Sequence, residues 1–123
     1  MKIRIKGNSI RYRLTKTEVA TFCKTGYVEE STQFSDSSFT YAVKAKDDIE
    51  HLEAAFDSGS ITLFVPKKES TNWVNSNRVG FQHNLFSDDD SSLSLLLEKD
   101  FSCLDNTIED QSDNYPNPLA DRK

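Results

Sequence analysis

Apolar and charged side chains alternate at the start of the chain. The apolar positions, with Lys or Arg residues between them, are Ile3, Ile5, Ile10, Tyr12 and Leu14. A period of two is typical of half-buried strands, so this segment predicts two strands with their aliphatic side chains facing inward. Gly7 and Asn8 tolerate the positive φ of a tight turn, which makes the two strands a hairpin with Ile5 opposite Ile10.

The residues after the hairpin carry the signals of a short helix. Thr15 and Glu18 stand at the two positions of a capping box, and Gly26 stands where a helix-ending glycine is expected. The apolar stripe between these signals consists of Val19, Phe22 and Cys23. The pattern predicts a helix over about 16–25, and so short a helix depends on the packing of that stripe.

Further strands are predicted on both sides of a second short helix. They lie at 27–34, 39–43, 51–56, 60–65, 79–83 and 93–101. Pro66 suits the first turn of the helix, which contains Trp73. The last strand is apolar enough at 95–97 to predict burial on both of its faces.

The two halves of the chain match each other at a nearly constant offset. A shift of 51 residues places Ile10 on Ile61, and a shift of 54 places Phe39 on Leu93. We therefore expect an α+β fold of about eight mainly antiparallel strands and two short helices, in a single domain over 1–104. Its pseudo-duplicated ββαββ halves, about 1–46 and 50–101, would form a curved sheet or a small barrel.

The negative charge is concentrated in the last third of the chain. Residues 1–87 contain 12 Lys and Arg against 10 Asp and Glu, whereas residues 88–123 contain 3 against 10. Residues 105–123 show no hydrophobic periodicity and are expected to form an acidic, extended tail. Its candidate interacting side chains are Asp105, Glu109, Asp110 and Asp113.

The first hairpin carries the complementary charge. Its outward side chains, which we call the basic ribbon, are Lys2, Arg4, Lys6, Arg11 and Arg13. The predicted turn places Arg4 opposite Arg11, and like charges opposite each other destabilise a hairpin. The basic ribbon therefore indicates an anion nearby: the acidic tail folded back on it, a small phosphate- or carboxylate-bearing ligand, or salt ions alone. Nucleic acid is disfavoured by the isoelectric point of about 5.0 and by the lack of a binding motif.

Metal binding and catalysis have little support in the sequence. Cys23, Cys103, His51 and His83 show none of the spacings of a zinc site, and no metal site or cofactor is implied. No nucleophile elbow, P-loop or dinucleotide fingerprint is present, so an enzyme is less expected than a binding protein.

Composition points to a protein of the cytoplasm. The hydrophobic fraction is 36%, and the longest apolar run, at 95–97, is far too short for a transmembrane helix. The first residues lack the apolar segment of a signal peptide. Two cysteines 80 residues apart, Cys23 and Cys103, form no disulfide framework, so both thiols are expected to be reduced.

Several segments of the chain carry a family resemblance. They are the opening at 1–11, Val65-Pro66-Lys67, Val79-Gly80-Phe81, the stretch at 98–104, Glu109-Asp110, Asp113 and the Asn-Tyr-Pro-Asn-Pro segment at 114–118. Together they resemble a family of small uncharacterised bacterial proteins, a domain of unknown function. The resemblance implies an ordered acidic segment and transfers no catalytic residue.

Three functions are compatible with these patterns. The leading expectation is a small non-catalytic binding or interaction protein whose acidic tail neutralises the basic ribbon. The alternatives are an enzyme or sensor for a small anion held by Arg4, Arg11 and Arg13, and a homo-oligomeric structural module that pairs through edge strands.

Overall fold

The alternating segment at the start of the chain forms the expected hairpin. The computed structural model describes residues 1–85, 92–101, 113 and 115. β1 (Lys2–Lys6) and β2 (Ser9–Leu14) pair with Ile5 opposite Ile10, as predicted. Gly7 occupies the turn at a φ of 54°, a conformation that glycine adopts without strain.

The first helix, α1 (Lys16–Thr25), has both predicted ends. The Thr15 side chain accepts a hydrogen bond from the Glu18 backbone, and the Glu18 carboxylate accepts one from the Thr15 backbone. Gly26 ends the helix at a φ of 80°, and its N–H donates to the carbonyl of Phe22. The local signals therefore determine where this helix begins and ends.

The remaining elements confirm the α+β prediction of eight strands and two helices. They are β3 (Tyr27–Gln33), β4 (Ser38–Lys46), β5 (Glu53–Asp57), β6 (Ser60–Pro66), α2 (Lys67–Ser70), a 3₁₀ helix (Trp73–Asn75), β7 (Gly80–Leu85) and β8 (Leu93–Lys99). Trp73 lies on the 3₁₀ helix and not on α2, which ends after one turn. None of the helices in the described part of the chain is long and apolar enough to cross a bilayer.

The eight strands form two four-stranded sheets. The first sheet has the order β1-β2-β8-β7 and the second has the order β3-β4-β6-β5. Each sheet consists of two antiparallel hairpins joined by one parallel pair, β2 with β8 and β4 with β6. Within the described residues the sheets are open, so the barrel alternative does not apply.

Each sheet combines one hairpin from each predicted half of the chain. In the first sheet Ile10 lies opposite Leu95, and in the second Tyr41 lies opposite Ile61. Shifts of 51 and 54 residues convert one of these pairs into the other. This equality of register is what an internal duplication predicts, and the duplication itself stays a prediction.

The core lies between the two sheets. Its fully buried side chains include Tyr12, Leu14, Val19, Phe22, Val43, Leu63, Val65, Leu95 and Leu97. Trp73 closes one side, with its ring in edge contact with Phe81 at 5.1 Å between centroids. The amino group of Met1 joins the start of β1 to α1 and β3, because it pairs with Glu18 and Glu30 at 2.6 Å each.

Two inward positions predicted from the alternation are not buried. Ile5 is 55% exposed, because it lies beside the turn of an edge strand, and Val79 is 46% exposed, just before β7 begins. The prediction that β8 is buried on both faces is also wrong. Leu95 and Leu97 are buried, but Leu96 between them is only partly buried on the outer face of the first sheet.

Candidate functional site

The outer face of the first sheet brings the basic ribbon together with side chains of β7 and β8. Strand register arranges these side chains in three rows across the sheet. One row consists of Lys2, Arg13, Glu98 and Gly80; the middle row consists of Arg4, Arg11, Leu96 and Gln82; the last row consists of Lys6, Ser9, Ser94 and Asn84. The cations thus lie along one side of the face, and neutral polar groups lie along the other.

Two carboxylates neutralise one end of the basic ribbon. Glu98 Oε1 lies 3.3 Å from Arg11 Nε and 3.5 Å from Arg13 Nε. Asp100 Oδ2 lies 3.3 Å from Lys2 Nζ, and the Asp100 side chain is almost fully buried. Sequence reasoning did not identify either carboxylate as a partner, because their approach requires β8 to pair with β2.

The other end of the basic ribbon is arranged differently. Among the residues that the structure describes, Arg4 and Lys6 have no carboxylate partner. Both side chains, together with Arg11, line one side of an open depression of about 190 Å³. Its other lining residues are Ser9, Ser94, Gln82 and Leu96. This is an electropositive hollow with neutral hydrogen-bonding groups opposite the cations.

A second depression adjoins the first. It measures about 280 Å³ and is lined by Lys2, Ile3, Arg4, Arg11 and Arg13. Arg4 and Arg11 line both depressions, so they form the boundary between them. Glu98 reaches Arg11 and Arg13 and reduces the positive charge at the second depression.

The described part of the acidic tail contacts α1. Asp113 accepts hydrogen bonds from the Thr17 hydroxyl at 3.0 Å and, through its backbone carbonyl, from Lys16 N at 3.0 Å. Hydrogen bonds from the side chains of Thr15 and Thr17 lower the pKa of Asp113. The other three candidate residues of the tail, Asp105, Glu109 and Asp110, lie outside the described residues.

A buried lysine lies at the end of β8. Lys99 is 6% exposed, and its Nζ donates to the carbonyl oxygen of Ser76 at 2.7 Å. The rings of Tyr115 and Trp73 lie 5.1 Å and 5.9 Å from that nitrogen. Burial lowers the pKa of Lys99. This amine links β8 to the end of the 3₁₀ helix and lies away from the basic ribbon's outward face.

The histidines and the described cysteine lie elsewhere. His51 and His83 are far apart in sequence, yet their rings stack with 4.4 Å between centroids. Cys23 Sγ accepts a hydrogen bond from Val74 N at 3.3 Å, and Cys103 lies outside the described residues. Within residues 1–85 and 92–101, with 113 and 115, no three His, Cys, Asp or Glu side chains are grouped to hold a metal ion.

Comparison with known proteins identifies a family without an assigned activity. No curated protein and no solved structure matches the chain. A family of unknown function, DUF7009, matches residues 1–119, which is nearly the whole sequence. The resemblance inferred from the sequence is thereby confirmed as far as the family's unknown function is concerned. The chain belongs to this family, DUF7009.

Proposed function

We propose that the outer face of the first sheet binds a small anionic ligand that bears a phosphate or carboxylate group. Arg4, Lys6 and Arg11 are the residues that hold it. The observation that carries the proposal is the contrast between the two ends of the basic ribbon. Glu98 and Asp100 neutralise one end, whereas Arg4 and Lys6 lack a carboxylate partner among the described residues and line a depression.

The energetics of the hairpin favour such a ligand. Arg4 lies directly opposite Arg11, and like charges in that position cost a few tenths to about 1 kcal/mol. An anion between the two guanidinium groups removes this repulsion and accepts charge-assisted hydrogen bonds from both. A guanidinium group has five N–H donors, so Arg11 can contact Glu98 through Nε and still donate to a ligand.

A second candidate occupant of this face is the acidic tail of the same chain. Glu98 and Asp100 support it, because they show that carboxylates of the acidic last third do pair with the basic ribbon. Asp113 favours the external ligand, since its described hydrogen bonds are with α1. Pairing between copies through the edge strands β1, β7, β3 and β5 stays a prediction.

Thermal stabilisation by anions tests the proposal. The full chain is titrated with inorganic phosphate and with malonate, at an ionic strength held constant with sodium chloride. A ligand at a hundred times its dissociation constant stabilises the folded state by about 2.7 kcal/mol, which raises the melting temperature measurably. We expect the increase to be largely lost in Arg4→Gln and retained in Lys44→Gln, which removes an exposed cation from the second sheet. Equal increases in all three proteins would refute the proposal.

A tail variant separates the two occupants. Asp105→Asn, Glu109→Gln and Asp110→Asn are combined in the full-length chain, so that its length is unchanged. If the tail occupies the basic ribbon, this variant binds phosphate more tightly than the wild type. If an external anion is the natural ligand, the two proteins bind phosphate with equal affinity.

A further inference from the structure

We infer that the ligand is the phosphate monoester of a small polyhydroxylated molecule, such as a sugar phosphate. Its phosphate lies among Arg4, Lys6 and Arg11, and its hydroxyl-bearing body extends over Leu96 toward Ser94 and Gln82. This inference rests on the proposed function and specifies the ligand of the same site.

The cationic side of the depression suits a doubly charged group. Three cations line it, Arg4, Lys6 and Arg11. A phosphate monoester carries about −1.5 to −2 charges at neutral pH and presents three acceptor oxygens. A carboxylate has one charge and two oxygens, so it leaves more of this positive potential uncompensated.

The opposite side of the depression suits hydroxyl groups. Ser94 and Gln82 supply a hydroxyl and an amide, which can both donate and accept hydrogen bonds. Leu96 lies between Arg11 and Gln82 in the middle row and offers an apolar contact to the C–H groups of a ring. Two strand spacings, about 10 Å, separate Arg11 from Gln82. A phosphate alone does not span that distance, whereas a phosphorylated sugar does.

Glu98 determines which end of the basic ribbon receives the phosphate. It lies against Arg11 and Arg13, at the border of the second depression, where it repels an additional anionic group. A ligand with a second phosphate directed toward Arg13 would meet this carboxylate. The site therefore favours one phosphate at the Lys6 end over a longer polyanion.

The depression is suited to binding and not to chemical conversion. Of the described side chains that line it, none is a carboxylate, an imidazole or a thiol. General acid–base or nucleophilic catalysis needs such a group within hydrogen-bonding reach of the ligand. The ligand is accordingly bound and released unchanged.

Isothermal titration calorimetry of the full chain provides the test. The probes are inorganic phosphate, glucose 6-phosphate, ribose 5-phosphate, glucose and fructose 1,6-bisphosphate, at one ionic strength. Two added hydrogen bonds increase affinity by roughly tenfold, so a sugar phosphate should bind about tenfold more tightly than inorganic phosphate. Glucose should show no binding, and the bisphosphate should bind no more tightly than the monophosphates.

A variant on the neutral side distinguishes the two proposals. Gln82 is exposed, so Gln82→Ala should fold normally and bind inorganic phosphate as the wild type does, but lose most of its preference for the sugar phosphates. The matched control is Gln33→Ala on β3, which should retain that preference. If phosphate binds and neither sugar phosphate binds more tightly, the inference about the ligand is wrong and the proposed function stands. If no anion binds, both fail.

Discussion

The hydroxyl group of Tyr12 donates a hydrogen bond to the carbonyl oxygen of Ile61, over a distance of 3.0 Å. Tyr12 belongs to β2 of the first sheet and Ile61 belongs to β6 of the second, so the bond crosses the core. Tyr12 is fully buried, and a buried polar group without a partner is costly. The bond therefore favours one placement of the two sheets relative to each other.

Removal of this hydroxyl group should weaken the contact between the sheets. Tyr12→Phe is expected to lower the free energy of unfolding by about 0.5–1.5 kcal/mol at neutral pH, as measured by urea denaturation. Tyr27→Phe alters an exposed ring and should cost less. A Tyr12→Phe protein as stable as the wild type would show that the hydrogen bond contributes nothing net.

The same residue should make the fold sensitive to alkali. Burial raises the pKa of Tyr12 above its usual value of 10.0, so the folded state keeps a proton that the unfolded chain releases. Stability from this source falls as the pH rises above about 10. Urea denaturation between about pH 8 and pH 11 should show a smaller decline for Tyr12→Phe than for the wild type. Parallel declines would contradict the assignment to Tyr12.

Lys99 should have an effect of opposite sign at lower pH. Burial lowers the pKa of Lys99 below its usual value of 10.5, so the folded state releases that proton before the unfolded chain does. The wild type should therefore gain stability as the pH rises toward about 10. Lys99→Met lacks this gain, so its stability relative to the wild type should be greater at about pH 7 than at about pH 10. Lys44→Met, at an exposed site, should show no such trend.

Glu98 should stabilise the basic ribbon in a salt-dependent way. Glu98→Gln leaves Arg11 and Arg13 without that carboxylate partner and is expected to cost about 0.5–1 kcal/mol at about 0.02 M salt. Screening should remove most of this cost at about 0.5 M salt. Glu53→Gln breaks an exposed pair with Lys46 and serves as the control. A cost for Glu98→Gln that is independent of salt would indicate a packing effect instead.

Asp113 should stabilise the fold through the first turn of α1. Hydrogen bonds from Thr15 and Thr17 lower its pKa, so this stabilisation is present above the usual value of 3.8 and is lost as the pH falls through the lowered value. Asp113→Asn should therefore melt at a lower temperature than the wild type near pH 6, and the difference should disappear in acid. A difference that persists at about pH 2 would exclude the carboxylate as its source.

The parts of the fold that depend on neighbouring residues could be predicted from the sequence. Alternation and the turn at Gly7 determine the β1–β2 register, and the capping residues determine α1. The exposure of Ile5 shows the limit of this reasoning, since its position in the pattern says which face it is on but not whether anything covers that face.

The composition of the candidate site could be predicted only in part. The hairpin register places Arg4 opposite Arg11 as expected, but the neighbours of the basic ribbon come from β8. Arg13 and Glu98 are opposite each other although 85 residues separate them, and no local pattern encodes such a pairing. The stacking of His51 on His83 likewise depends on which hairpins share a sheet.

The parallel pairing of β2 with β8 has a consequence for the order of events during synthesis. Ser9 meets Ser94, so the inner edge of β2 stays open until nearly all of the described chain has left the ribosome. Contacts this distant in sequence close slowly, because a long loop must first be ordered. A nascent chain halted before β8 would expose that open edge to other chains, where strand addition leads to aggregation.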